Sequence, residues 1–258
     1  MTKLFDTHCH LDFEQFSADL DDVISRARSK GVDKFLIPAC TKRNWSNVAE
    51  ISQRYRGVYY ALGLHPYFTD KHSDSDLDLL EQAIRNRDNK CVAVGECGLD
   101  FVKGDDRERQ MLLLDAQLDL AIQYHLPVIL HCRGAHQQMI KLLKQKKLSC
   151  AGVIHGFSGS YEQAMDYIRL GYYIGVGSTI TYLRARKTRN TISKLPLANL
   201  VLETDAPDMP LSGYQGEKNV PERVLNVLNE LNVLRNEPEQ TVADVLYQNS
   251  LSVFTICK

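Results

Sequence analysis

The sequence has no excess of either charge: 31 Lys and Arg stand against 32 Asp and Glu, a formal charge of -1. Without a global basic field, any polyanionic substrate has to be held by a local patch or by metal. No run approaches the roughly 18 apolar residues of a membrane helix. Residues 1–10 mix polar and apolar types and do not read as a signal peptide. The seven cysteines are odd in number and show no Cys-x-x-Cys spacing, so neither a disulfide framework nor a zinc ribbon is expected, and a reducing cytoplasm suits them best. There is no Gly-rich phosphate loop, no dinucleotide fingerprint, and no Gly-x-Ser-x-Gly elbow around Ser158. Internal repeats, low-complexity tracts and Pro/Gly/Ser-rich linkers are lacking too, which leaves one domain over 1–258 as the expectation.

What is present is alternation. Short apolar, β-rich runs at 4–8, 34–39, 58–63, 91–96, 127–131, 152–155, 172–176 and 200–204 are separated by stretches of helical period. The helical stretches include 20–30, 76–87, 107–124, 135–144, 161–170 and 186–194. Nearly continuous apolar strands between helices imply a parallel sheet covered on both faces. Eight such units in 258 residues, close to the roughly 250 of one TIM (β/α)₈ barrel, favour the α/β closed barrel over an open doubly wound sheet. Residues 213–221 read as a long loop before two C-terminal helices near 222–234 and 240–254.

Placed on that scheme, the unusual polar residues collect at one end of the strands. His8 and His10 close the first strand, Glu96 the fourth, His131 the fifth, His155 the sixth and Asp205 the eighth. All strand C-termini open on one face of a parallel barrel, and barrel active sites are built there. Four imidazoles and two carboxylates suit Zn²⁺, Mn²⁺ or a similar divalent ion, and exceed what one tetrahedral ion needs. With Glu96 bridging, the set divides into two sites. Ions about 3.5–4 Å apart activate water and stabilise both the attacking and the leaving oxygen of a displacement. Singly, each residue has an ordinary explanation: a His-x-His pair can be a satisfied strand end, and Glu96 or Asp205 a helix cap or salt-bridge partner. Their joint occurrence is what points to metal. Strand alternation turns Cys9, Cys97 and Cys132 away from the neighbouring ligand candidates, as packing groups under the outer helices.

Several segments, Asp6-Thr7-His8-Cys9-His10-Leu11, Gly63-Leu64-His65-Pro66, Gly95-Glu96-Cys97-Gly98-Leu99-Asp100, His155-Gly156-Phe157-Ser158-Gly159 and Glu203-Thr204-Asp205-Ala206-Pro207, have a joint counterpart. In order, and over nearly the whole chain, they resemble the signature segments of the TatD family of metal-dependent DNases, in the amidohydrolase superfamily. Residues 171–177 and 205–210 look closest to its YjjV-like branch. The resemblance implies a TIM barrel with two divalent ions (Zn, Mn or Mg) and hydrolysis of phosphodiester bonds. It implies His8, His10, Glu96 and Asp205 on one ion, and Glu96, His131 and His155 on the other. One departure stands out. After Asp100 many members run on with Arg and Asn, whereas here Phe101-Val102-Lys103-Gly104-Asp105-Asp106 intervenes, so substrate contacts near that loop do not carry over.

The expected chemistry is attack on phosphorus by a metal-activated water, with Glu96 bridging and Asp205 accepting or orienting the proton. His65, before Pro66, either contacts substrate phosphate or anchors its loop; the resemblance favours the first. Arg133 either neutralises phosphate or pairs with a carboxylate. Glu203, two residues before Asp205, is expected to orient a ligand rather than serve as one. Arg184, Arg186, Lys187 and Arg189 follow the seventh strand, where barrels often bind phosphate, although a solvated helix face is the commoner meaning. His72, His125 and His136 read as structural. The expected partner is a nucleic acid or small phosphoester substrate, with no membrane and no obligate protein partner. The rival readings are an amidohydrolase, lactonase or aminoacyl-ester hydrolase on the same site, or a metal-binding protein without turnover.

Overall fold

A computed structural model of the chain describes residues 2–103 and 106–255. Of the expected 1–258 unit, residues 1 and 256–258 lie outside the described residues, as do Gly104 and Asp105 of the departure after Asp100. Eight strands form one parallel sheet in sequence order: β1 (Leu4–Asp6), β2 (Val32–Pro38), β3 (Val58–Leu62), β4 (Cys91–Asp100), β5 (Val128–Arg133), β6 (Gly152–Ile154), β7 (Tyr172–Val176) and β8 (Leu200–Leu202). The first and last strands meet across a seam. Thr7 N–H donates to the Leu202 carbonyl at 3.0 Å, Asp205 N–H to His8 at 2.9 Å, and His10 N–H to Ala206 at 2.7 Å. Beside them the buried Asp6 carboxylate accepts from Thr204 Oγ1 at 2.6 Å and Thr204 N at 2.9 Å. The sheet is thereby drawn round into the expected TIM barrel.

The helices are α1 (Glu14–Ser17), α2 (Leu20–Ser29), α3 (Trp45–Arg54), α4 (Asp76–Arg85), α5 (Arg107–Gln123), α6 (His136–Lys146), α7 (Tyr161–Arg169), α8 (Arg186–Lys194), α9 (Val224–Leu234) and α10 (Glu239–Val253). Local chemistry sets several of their starts. Ser160 and Gln163 close a reciprocal capping box on α7, and Asp106 accepts from Arg109 N–H at the start of α5. The α3 helix goes beyond the sequence expectation. It buries Trp45, Val48 and Ile51 on one stripe, and Trp45 Nε1 donates to the Gly63 carbonyl at 3.1 Å.

The core has two shells. Between strands and helices lie residues such as Phe35, Val94, Leu130, Leu118 and Tyr167. Inside the barrel, Phe5, Leu36, Ala61, Val92, Ile129, Val153 and Val201 pack on Tyr247, Leu251 and Phe254, so α10 and the residue after it close the barrel's N-terminal end. Cys9 and Cys97 belong to the outer shell, as alternation predicts. The six described cysteines are all unpaired. Among the described residues no helix is long and apolar enough to cross a membrane.

The principal correction concerns strand ends. The fourth strand does not stop at Glu96 but runs to Asp100, and the fifth runs past His131 to Arg133. Their pairing shifts register between Val94 and Cys97, so a mid-strand irregularity lies where the sequence reading ends the strand at Glu96. Conversely β1, β6 and β8 end one to three residues before His8, His155 and Asp205, and these side chains stand on the loops just above the sheet.

Candidate metal centre

Glu96 is the hub. It is 1% exposed, and its two oxygens face different partners. Oε2 lies 3.2 Å from His8 Nε2 and 3.7 Å from His10 Nε2. Oε1 lies 2.8 Å from His155 Nε2, 3.1 Å from His131 Nδ1 and 2.9 Å from His65 Nε2. Asp205 completes the first side, with Oδ1 3.5 Å from His8 Nε2 and 3.6 Å from His10 Nε2. All six residues expected to converge do so, although they come from β1 through to the end of β8, and His65 joins them as a fifth imidazole.

The donor atoms suit cations. His8 Nε2 and His10 Nε2 face each other at 3.3 Å, and His131 Nδ1 faces His155 Nε2 at 3.1 Å. A neutral imidazole carries one proton, so two facing ring nitrogens share at most a single hydrogen bond. A cation lying between such nitrogens and the carboxylates satisfies all the lone pairs together. Three groupings hold their ligand atoms within 4.8 Å of one another: His8, His155 and Asp205; His8, His10 and Glu96; His65, Glu96 and His131. His65 is set apart by its hydrogen bonding. Its Nδ1 accepts from Tyr67 N–H at 2.9 Å, so in the neutral ring Nε2 bears the proton and points it at Glu96. It is a donor into the site and has no lone pair there.

Charge follows from the same contacts. Burial alone would raise the Glu96 carboxyl, but the neighbouring His65, His155 and His8 hold it well below the usual range. Burial pushes His10 down to about 4, and His8 well below its usual value. Burial also opposes charge on His155, yet Glu96 prevails and lifts it to about 10. Asp205 is pushed up to about 7, by burial first and then by Glu96 and Glu203. Its φ of 59° is unusual for a residue with a side chain, and it turns the carboxylate over the cluster rather than along the strand. Its side chain is 21% exposed against 2% for Glu96, and it lines a cavity of about 640 Å³ that opens at the strand C-termini.

Around that cavity the remaining expectations divide. Glu203, buried at 1%, accepts from Gly156 N–H at 2.5 Å and stands 4.0 Å from His155 Nδ1, a supporting place as expected. Exposed Arg133 lines the cavity, and its guanidinium forms no hydrogen bond or ion pair among the described residues. The basic cluster after β7 is broken up. Arg189 pairs with Glu230 at 2.5 Å and also donates to the Ile180 carbonyl, whereas Arg184 lies over the Tyr182 ring at 4.9 Å. His72 Nε2 meets the His65 carbonyl at 2.9 Å, and His136 Nδ1 meets Tyr167 OH at 3.0 Å; both are structural. Cys132 touches that His136–Tyr167 pair and is raised to about 11 by burial, so it stays a thiol.

A family model described as TatD related DNase matches residues 5–255. The chain belongs to the TatD family. Over 255 residues it is 50% identical to a protein of Escherichia coli strain K12 described as the uncharacterized metal-dependent hydrolase YjjV, covering 98% of each chain. The crystal structure of that TatD homologue superposes with a TM-score of 0.96 over 98% of both chains. A human relative named Deoxyribonuclease TATDN3 is 31% identical, covering 97% of this chain and 94% of that one. These likenesses make the chain a metal-dependent hydrolase of the TatD family.

Within this TatD-family site, three residues escaped sequence reasoning. Tyr67 and Lys103 meet at the mouth, the Lys103 ammonium donating to Tyr67 OH and lying 4.2 Å from its ring centroid. Asp100, buried at 1%, contacts His131. A signal for Asp100 was available. Residues 96, 98 and 100 share one face of a strand, so a carboxylate four after Glu96 belongs on the ligand side.

Proposed function

We propose that this chain hydrolyses phosphodiester bonds, with DNA strands as the substrate class, at a centre of two divalent ions. His8, His10, Glu96 and Asp205 would hold one ion, and Glu96, His131 and His155 the other. The reading rests on one observation: the two oxygens of Glu96 face two separate sets of imidazole nitrogens, as a bridging carboxylate requires. Ions held there would supply Lewis acidity that activates water and offsets charge on the phosphoryl group.

The rest is the work of the protein. Asp205, the cluster's most solvent-open carboxylate, is placed to accept or orient the proton of the attacking water. The unengaged Arg133 guanidinium lies along the cavity wall, where it binds and turns the phosphate; His65 lines the same wall with its Nε2–H turned to Glu96 Oε1. Phe13, Tyr67 and Phe68 line the same cavity and give bases an aromatic surface to rest on. The likeness to a human protein named as a deoxyribonuclease supports DNA over other esters. We take 1–258 as a single catalytic unit.

The test is a panel. Metal-stripped protein is re-supplied with Zn²⁺, Mn²⁺ or Mg²⁺ and offered single-stranded DNA, aryl phosphodiesters and lactones. Metal-dependent cleavage of DNA and aryl phosphodiesters is expected. Cleavage of lactones alone, or metal uptake without any turnover, overturns the proposal.

A further inference from the structure

Asp100 uses its two carboxylate oxygens for different tasks. Oδ1 accepts from the backbone N–H groups of Val102 and Lys103, both at 3.0 Å. Oδ2 lies 3.2 Å from His131 Nε2. The residue's own backbone is pinned in turn: the buried Gln110 of α5 accepts from Asp100 N–H at 2.8 Å and donates to its carbonyl at 3.0 Å. An ionised carboxylate only accepts, so the His131 nitrogen facing it has to carry the ring proton. The other nitrogen, Nδ1, also faces a carboxylate oxygen, Glu96 Oε1 at 3.1 Å. That oxygen already has His65 Nε2 at 2.9 Å and His155 Nε2 at 2.8 Å, whereas among the described residues Asp100 Oδ2 has His131 alone. In the neutral ring the proton therefore sits at Nε2, and Nδ1 keeps its lone pair, 3.1 Å from His155 Nε2.

The same contacts run on to the mouth of the cavity and back. From the turn that Asp100 Oδ1 fixes, Lys103 reaches Tyr67 OH. Tyr67 N–H donates to His65 Nδ1 at 2.9 Å, and His65 Nε2 returns to Glu96 Oε1 at 2.9 Å. Glu96, His131, Asp100, Lys103, Tyr67 and His65 thus form a closed circuit of direct contacts, two steps of it carried by backbone N–H groups.

We propose that Asp100 is a positioning residue that fixes the ring tautomer of His131, turning its unprotonated Nδ1 to the centre, while anchoring the turn that presents Lys103 to substrate. It rests on the two-ion reading for what Nδ1 binds, but the tautomer itself is a property of the metal-free chain. Retention of metal and placement of a substrate-facing cation thereby depend on one carboxylate. Supporting groups that fix a histidine ligand commonly change metal affinity about 10–100-fold when altered.

Asp100→Asn separates the two tasks. The amide oxygen still accepts from the turn, but the amide nitrogen now faces His131 Nε2 with N–H groups. That nitrogen must then accept, which moves the ring proton to Nδ1. Two measurements on the full chain test this: ¹⁵N–¹H spectra of the His131 ring in metal-free protein at alkaline pH, assigned with His131→Gln, and calorimetric titration with Mn²⁺. Wild type is expected to show the Nε2–H tautomer. In Asp100→Asn the proton shifts to Nδ1 and Mn²⁺ binding weakens about 10–100-fold. Lys103→Met is expected to keep the wild-type tautomer and Mn²⁺ affinity and to raise KM for an anionic substrate. Wild-type His131 protonated at Nδ1 overturns the proposal without any variant, as does Asp100→Asn with an unchanged tautomer or Mn²⁺ affinity within twofold of wild type. Wild-type protein that takes up no Mn²⁺ sinks the two-ion reading instead, and the tautomer of its His131 still decides the role of Asp100.

Discussion

Replacing Gly98 by Ala asks how closely the metal centre depends on the fit of β4 against β5. A Cβ at position 98 would lie 2.0 Å from the His131 carbonyl oxygen, 2.8 Å from its carbonyl carbon and 2.9 Å from its nitrogen. Carbon and oxygen keep roughly 3.3 Å apart or more, so the strands must part by about 1 Å. All three clashing atoms are backbone, so no side chain can swing aside. The φ of 144° adds strain, since side-chain-bearing residues held in sparsely populated regions cost about 1–3 kcal/mol, and overpacking adds about 1–3 kcal/mol. The sum, about 2–6 kcal/mol, corresponds to a fall in Tm of roughly 5–20 °C for a chain of this length. The part that moves carries His131, and a misplacement of about 1 Å costs on the order of 100-fold in rate. Thermal unfolding gives the first number, and Mn²⁺-supplied phosphodiester turnover, measured well below either Tm, gives the second. Gly213→Ala is the control: its φ is 91°, but nothing lies within 4 Å of the new Cβ, so turnover should not change. A Gly98→Ala protein that melts and turns over like its parent refutes the reasoning.

Asp205→Asn should reduce turnover about 10²–10⁴-fold, the usual contribution of a positioned proton acceptor, with metal content largely kept; elemental analysis beside steady-state kinetics checks both, and near-parental turnover removes Asp205 from the chemistry. Arg133→Ala should raise KM for single-stranded DNA and lessen the slope of log affinity against log salt by about 0.7, and an unaltered slope means that Arg133 touches no phosphate. Arg189→Ala should cost about 1–2 kcal/mol of stability, through loss of partly buried charged hydrogen bonds, and leave KM alone; a rise in KM with no change in Tm would return Arg189 to the substrate.

Much of the site was legible because its chemistry is out of place. Apolar strands that repeatedly end in His, Glu or Asp advertise a common destination, and His8, Glu96, His131, His155 and Asp205 meet there. The barrel was legible from the spacing of those same strands. Strand ends were harder to read: the fourth apolar run was ended at Glu96, although β4 continues through Gly98 to Asp100. Here tertiary pairing with β5 overrides local preference. The α3 helix went unread because its exposed face carries Ser and Asn types, and only the Trp45, Val48, Ile51 stripe betrays it. Asp100 and Tyr67 act through hydrogen bonds to backbone and ring nitrogens. Those bonds are local, but they reach the site only through Asp100 Oδ2 to His131 and Lys103 to Tyr67 OH, contacts between distant segments that spacing along a chain does not encode. His65 was placed at the site, and its protonated face became readable only once Tyr67 N–H was seen at Nδ1.

The helix that stoppers the barrel, α10, with Tyr247, Leu251 and Phe254 wedged under Phe5 and its inner-shell neighbours, has a bearing on turnover. With that end filled, the cavity at the strand C-termini, lined by Tyr67, Lys103 and Arg133 among others, serves both arrival and departure, so under the proposed reaction the grip that would draw a polyanion in is also what its product would have to break on the way out.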